Sequence, residues 1–254
     1  MTLPKIEINC DMGEGFGRWK MGPDEDLMPL IDRANIACGF HAGDPTIMLR
    51  TIRLARTHSV LCGAHPGLQD LLGFGRRKME IDPHDMYCMI LYQVGALKAM
   101  LEAEGMGLSH IKPHGELYFY MQRDEGIMRA VLKAAKTFGV PVLGAKGKRQ
   151  AEICAEIGVE FIEELYVDID WDKQHNLVPV AKSHPATPEG IKKKVTMCAE
   201  TGKTIDIDGD DLDMGFKEKP FTICLHSDMP TALQNVKAAR QAVDAANAKL
   251  YPGN

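Results

Sequence analysis

The 254-residue chain has no apolar run near the 18 or more residues of a membrane span, which excludes a membrane-spanning helix. No block of Lys and Arg interrupts it either. Thirty basic residues against 35 acidic ones leave a formal charge of −5, so there is no electrostatic footprint for nucleic acid or an anionic lipid surface. Its seven cysteines are odd in number and show no CxxC spacing or Cys/His pairing of a structural zinc site. Reduced thiols are expected, with Cys10, Cys38, Cys62 and Cys224 as small buried hydrophobes at the ends of β-like runs. The opening MTLPKIEINC carries Lys5 and Glu7 and turns strand-like. It has neither the cationic nor the apolar region of a secretory leader, so a cytoplasmic protein is expected. The glycines of MGEGFGRW miss the GxGxxG pattern because Arg18 stands where the last glycine belongs. Gly202-Lys203-Thr204 misses a Walker A loop because Met197 takes the place of its first glycine.

What the chain does contain is the composition of a globular protein, 45% hydrophobic and 26% charged. Short strand-like runs fall at residues 6–10, 34–38, 60–63, 110–112, 141–144, 160–162 and 222–225, most of them followed by a loop and a helix-like stretch. That alternation indicates a parallel sheet with helices outside it. The clearest helix is expected over residues 83–104, where Met86, Ile90, Val94, Leu97 and Leu101 recur at helical spacing behind an Asp82 cap and Pro83. Asp44-Pro45 and Thr187-Pro188 repeat the device. Ser227 or Asp228, ahead of Pro230, is read as the start of a last helix with Leu233, Val236, Ala239, Val243 and Ala246 on one face. With no repeat, linker or low-complexity tract, a single domain over residues 1–254 is expected. The predicted class is α/β, an irregular (β/α) barrel of about seven mostly parallel strands. Residues 165–220 fit least well. Their weak strand candidates, residues 177–180 and 204–207, suggest an excursion over one side.

Reactive side chains cluster just beyond the strand ends. Asp11 and Glu14 follow the first strand, His41 and Asp44 the second, and His65 the third. Lys112, His114 and Glu116 follow the fourth, and His226 and Asp228 the last. In a parallel α/β architecture these ends meet at one mouth. Asp44 reads as a helix cap, and Asp228 reads equally as a cap or a functional acid. Asp11 directly after a buried strand is costly unless paired or bound to a cation. His58, His84, His110, His175 and His184 lack such settings and are read as structural or solvent-facing.

The strings INCDMGEGFGRWKMG, ANIACGFHAGDP, GAHPG with GFGRR, YQVGAL, HIKPHGELY and CLHSDMP occur in that order across residues 8–230. Together they resemble the signature blocks of the LamB/YcsF family, whose members include the A subunit of ATP-dependent 5-oxoprolinase. The resemblance implies an irregular barrel related to the sugar-deacetylase folds, ATP-coupled opening of 5-oxo-L-proline to L-glutamate, and separate B and C subunits. It implies catalytic roles for Asp11, Glu14, Lys112, His226 and Asp228, with Asp11 as base or metal ligand, Lys112 as electrostatic stabiliser and His226 as proton shuttle. Substrate contacts are expected from His41, Arg76, Gln93 and Glu116, with Arg76 as carboxylate clamp. By analogy with deacetylase-like barrels, Asp11, His65 and His114 would hold a divalent cation, with His41 a substitute.

The chain departs from the family pattern in three places. Ile169 stands where an arginine is usual in an Ala-Asp-Arg segment, Ser227 replaces a glycine, and Glu116 replaces a small residue. They leave the particular lactam open. Two other readings remain: a stand-alone metal-dependent amidohydrolase, and a noncatalytic subunit that binds a small anion. A homo-oligomer is compatible with each.

Overall fold

A computed structural model describes residues 5–251, apart from residue 218 and the side chain of residue 148. Residues 1–4 and 252–254, the two ends of the expected single domain, lie outside the described residues. Strands β1 (Glu7–Met12), β2 (Arg33–Ala37), β3 (Leu61–His65), β4 (Leu108–Ile111), β5 (Val142–Ala145) and β6 (Phe161–Tyr166) follow one another around a barrel. An antiparallel hairpin of β7 (Lys203–Ile205) and β8 (Asp211–Asp213) intervenes before β9 (Thr222–Leu225). The last strand closes the ring by pairing in parallel with both β6 and β1. Six of the seven barrel strands fall on or within two residues of the expected runs, and β6 runs four residues beyond its expected end.

Helices α1 (Asp24–Leu27), α2 (Pro45–Thr57), α3 (Pro83–Ala103), α4 (Gly115–Arg123), α5 (Glu125–Phe138), α6 (Lys148–Ile157), α7 (Pro188–Thr201) and α8 (Ala232–Leu250) complete the fold. The Asp-Pro and Thr-Pro starts act as read. Asp44 accepts from Thr46 and Ile47 N–H, Asp82 from His84 N–H, and Thr187 from Gly190 N–H. The expected apolar stripe of α3 is fully buried.

Two expectations need correction. α8 begins at Ala232 after Thr231, and Asp228 caps nothing because its carboxylate is drawn to Arg76 instead. Residues 177–180 form no strand. Leu177 makes only an isolated bridge with Trp171, and Val180 opens a 3₁₀ turn, Val180–Lys182. Of the segment expected as an excursion, residues 165–220, Leu165 and Tyr166 belong instead to β6, and the remainder includes α7 and the β7–β8 hairpin. All seven cysteines are free, and only Cys88 is exposed. Among the described residues no helix is long and apolar enough to cross a membrane.

Period-two alternation sends Ile8, Cys10 and Met12 of β1 into apolar packing and Asn9 and Asp11 to the other face. That other face is an unusually polar barrel interior. Asn9 Nδ2 donates to Thr222, and Asn35 Nδ2 bridges Asn9 and Asp11. His110 Nε2 donates to Asn35 Oδ1, and the ring fits because β3 offers Gly63, where a Cβ would lie 2.2 Å from it. His110 is thus structural, as read, but wholly buried.

Glu164 is also fully buried here, with Oε1 lacking any partner. Burial pushes its carboxyl up to about 7. A carboxyl raised in this way contributes full stability below its unfolded value of 4.5 and loses it as pH rises through about 7. The stability of Glu164→Gln relative to the parent is therefore expected to improve by about 2–3 kcal/mol between pH 4 and pH 8. Urea unfolding at the two pH values checks this, and a difference independent of pH would refute it.

Candidate active site at the barrel mouth

Seven of the expected residues converge where the strands end. Asp11 is the last residue but one of β1, His65 closes β3, Lys112 follows β4 and His226 follows β9, while the adjoining turns supply Glu14, His41 and His114. All are buried.

They form two adjoining groups. In the first, Lys112 Nζ lies 2.5 Å from Asp11 Oδ1, which also accepts from Asn35 at 2.8 Å. Asp11 Oδ2 lies 3.2 Å from His65 Nε2 and 3.7 Å from His226 Nε2. Burial alone would raise the Asp11 carboxyl, but His65 and Lys112 hold it well below the usual carboxylate range. Burial alone would likewise lower Lys112, and Asp11 keeps it well above its ordinary value. The pair is charged at neutral pH.

In the second group, Glu14 Oε1 is 3.1 Å from His41 Nε2, 3.3 Å from His114 Nδ1 and 3.8 Å from His65 Nε2. Burial would raise Glu14, but hydrogen bonds from His114 and His41 hold it well below its ordinary value. Burial pushes His41 down to about 3 and lowers His65 too, so both favour neutral rings. The outer nitrogens decide what this group can hold. His65 Nδ1 donates to the Lys112 carbonyl at 2.6 Å, and His114 Nε2 donates to the Phe74 carbonyl at 2.8 Å. Their inner nitrogens then face each other at 2.9 Å, which requires a proton or a cation between them.

Imidazoles tied to carbonyls through the far nitrogen are the usual outer arrangement of metal ligands. One donor atom each from Glu14, His41, His65 and His114 lies within 4.8 Å of the others. Three imidazoles and one carboxylate suit Zn²⁺ or a related transition metal better than Mg²⁺. The expected set of Asp11, His65 and His114 is thus rearranged. Glu14 and His41 join the two histidines, and Asp11 stands beside His65 engaged by Lys112.

The surrounding turns are fitted to these rings. His41 stacks on His114 with centroids 3.6 Å apart, and Phe74 meets both rings edge-on. Gly75, at φ +64°, leaves room that a Cβ would take from His41 and His114.

The remaining expected residues lie around this centre. Arg76 sits at the rim, 2.7 Å from Asp228 and over the Phe74 ring. Asp228 Oδ1 is buried without a partner. Gln93 is wholly buried on α3, and its amide bonds both N–H and C=O of Gly67, fixing the turn after His65. Glu116 is not brought to the cluster. Its carboxylate pairs with Arg123, two turns along α4.

Sequence reasoning missed Asn35, Phe74 and above all Asp168, whose carboxylate receives both the N–H and Nδ1 of His226. Ile169, where the family pattern has arginine, is buried among apolar side chains.

The glycine turn after β1 is already occupied. Gly13 N–H donates to Asp24 and Gly17 N–H to Asp44. Two of the amides a phosphate would need are therefore bound to carboxylates.

Comparison with known proteins agrees with this architecture. The family model described as the LamB/YcsF family matches residues 6–254. The chain is 44% identical over 245 residues to the lactam utilization protein lamB of Emericella nidulans, covering 96% of each. It is 40% identical to the A subunit of 5-oxoprolinase from Syntrophobacter fumaroxidans, covering 97% of each. Among solved structures, the lactam utilization protein of Thermus thermophilus superposes with a TM-score of 0.88 at 36% identity, over 96% of this chain and 98% of that one.

Proposed function

This chain belongs to the LamB/YcsF family, and from that membership and the geometry of its mouth we propose that it opens a cyclic amide by hydrolysis, with 5-oxo-L-proline giving L-glutamate. The observation that carries the reading is the burial of Asp11, Lys112, His65 and His226 side by side at the strand ends, next to a Glu and three-His group. Relatives carry the name of one subunit of an assembly, so this chain acts with partner B and C subunits.

An unstrained lactam is a poor electrophile, and ATP supplies the drive. Transfer of the γ-phosphoryl group to the amide oxygen makes the ring carbon attackable. The filled amides of the turn after β1 support placing that transfer on the partner subunits, with this mouth receiving the activated ring. Asp11 Oδ2, the oxygen not held by Lys112 and Asn35, orients the attacking water and accepts its proton. Its low affinity for that proton passes it on to the adjoining imidazoles. Lys112 offsets the charge that builds on the adduct, and His226 donates a proton. Arg76 exchanges Asp228 for the ring carboxylate of the substrate. Glu14, His41, His65 and His114 would hold a divalent cation, which would supply polarisation of the amide oxygen or of water when bound.

The test is co-expression with the partner subunits and measurement of glutamate with and without ATP. Glutamate that needs both nucleotide and partners supports the reading. Hydrolysis by this chain alone, without ATP and stopped by chelation, would replace it with the stand-alone amidohydrolase.

The metal assignment has its own check. The purified chain is expected to take up one Zn²⁺, and His114→Ala or Glu14→Gln to weaken that uptake by more than the roughly 10–100-fold typical of losing an outer partner. Equilibrium dialysis showing equal uptake by parent and variants would refute the site.

A further inference from the structure

Asp168 lies in the loop after β6, with its side chain 1% exposed, and both carboxylate oxygens are turned to one residue. Oδ2 accepts the His226 backbone N–H at 2.7 Å, and His226 Nδ1 sits 3.1 Å from Oδ1 and 3.2 Å from Oδ2. With Nδ1–H committed to Asp168, the other nitrogen, Nε2, is left facing Asp11 Oδ2 at 3.7 Å. Tyr166 lies against the ring from β6, with centroids 5.8 Å apart. The charged groups around His226 are therefore Asp168 from the β6 loop, Asp11 from β1 and Lys112 from the end of β4.

We propose that Asp168 is a positioning residue that holds His226 as an imidazolium with Nε2–H aimed into the mouth, and thereby decides which bond of the activated lactam breaks. This rests on the reading that the ring arrives phosphorylated on its oxygen. Addition of water to that ring carbon gives a tetrahedral adduct with two competing leaving groups. If the C–O bond to phosphate breaks, the lactam re-forms, and one ATP has been converted to ADP and phosphate for nothing. If the C–N bond breaks, its electron pair goes to nitrogen, which takes the Nε2 proton of His226, while the hydroxyl left by the added water gives its proton to Asp11 as its oxygen forms the C=O bond. The ring opens to an acyl phosphate, which water converts to glutamate and phosphate, and His226 is reprotonated from solvent. Amines leave poorly unless protonated, so a fixed proton donor at nitrogen directs the adduct to open.

The charge balance agrees with this arrangement. Burial alone would lower His226, but Asp168 first and then Asp11 outweigh it, and the ring is pushed up to about 9. It therefore holds its proton at neutral pH and loses it as pH rises through that value.

Asp168→Asn keeps the shape and one acceptor and removes the charge. In the complex with partner subunits, the parent is expected to release one ADP per glutamate. Asp168→Asn is expected to raise ADP per glutamate about tenfold or more, less than the roughly 10²–10⁴-fold that a general acid contributes directly, and Asp168→Glu to restore part of the coupling. His226→Gln, with Asp168 intact, is expected to uncouple equally. On the chain alone, ¹⁵N NMR of His226 is expected to show its titration midpoint lowered by at least about one pH unit in Asp168→Asn. A variant that keeps one ADP per glutamate and an unshifted midpoint, however slow, overturns the proposal while leaving the proposed function standing. A parent complex with no lactam-dependent ATP consumption overturns the proposed function and this inference together.

Discussion

Replacing Lys112 with methionine is expected to destabilise the chain by about 3–5 kcal/mol, the usual cost of removing one member of a buried ion pair. Methionine fills most of the lost volume, so the effect is electrostatic more than steric. The Asp11 carboxylate, 2% exposed, would be left with Asn35 and, 3.7 Å from its other oxygen, the His226 ring, but without its direct ion pair. The loss should therefore fall mainly on Asp11, and a double substitution tests it. Asp11→Asn with Lys112→Met is expected to recover more than half of the lost stability in urea unfolding at neutral pH. A double variant no more stable than Lys112→Met would show that Lys112 matters for packing over the Tyr166 ring, which lies 5.6 Å beneath its Nζ.

The largest loss of activity is expected from Asp11→Asn alone. The amide keeps the hydrogen bond with Asn35 within reach, but it cannot accept the proton of the attacking water. Glutamate formation with partner subunits is expected to fall about 10²–10⁴-fold, the range for a positioned acid–base group. Zn²⁺ uptake is expected to remain close to that of the parent, because Glu14, His41, His65 and His114 supply the donors without Asp11. Glu14→Gln is expected to lose metal and activity together. Rate measurements with dialysis on both variants separate the roles, and an Asp11→Asn protein that retains activity but loses metal would reverse them.

Much of this arrangement could be read from the chain because its signals are local. Strand runs ended in reactive residues, and Asp-Pro pairs marked helix starts that the structure keeps at Asp44 and Asp82. Asp228 misled for the same reason. Its place before Pro230 looks like a cap, but Arg76, 152 residues away, holds its carboxylate. The polar barrel interior was illegible, since Asn9, Asn35, His110 and Thr222 come from strands scattered along the chain and only closure brings them into contact. Asp168 escaped because it follows β6 in the least regular segment, where no periodicity marks it. Glu14 and His41 come beside His65 and His114 through the turns after β1 and β2, and spacing along a chain does not encode where a turn delivers its side chains.

The seventh barrel strand, β9, bonds to both β6 and β1, and this bears on how the protein is made. A nascent chain emerging from the ribosome can pair its first six strands in order, but it holds an open, unsealed ring until residues 222–225 appear. Only then does His226 arrive at the mouth, and α8 follows with Asn247 bonding back to both N–H and C=O of Ile6. Assembly of the mouth is therefore a late event of synthesis, and premature termination anywhere before that final strand leaves a fragment with sticky strand edges and without His226.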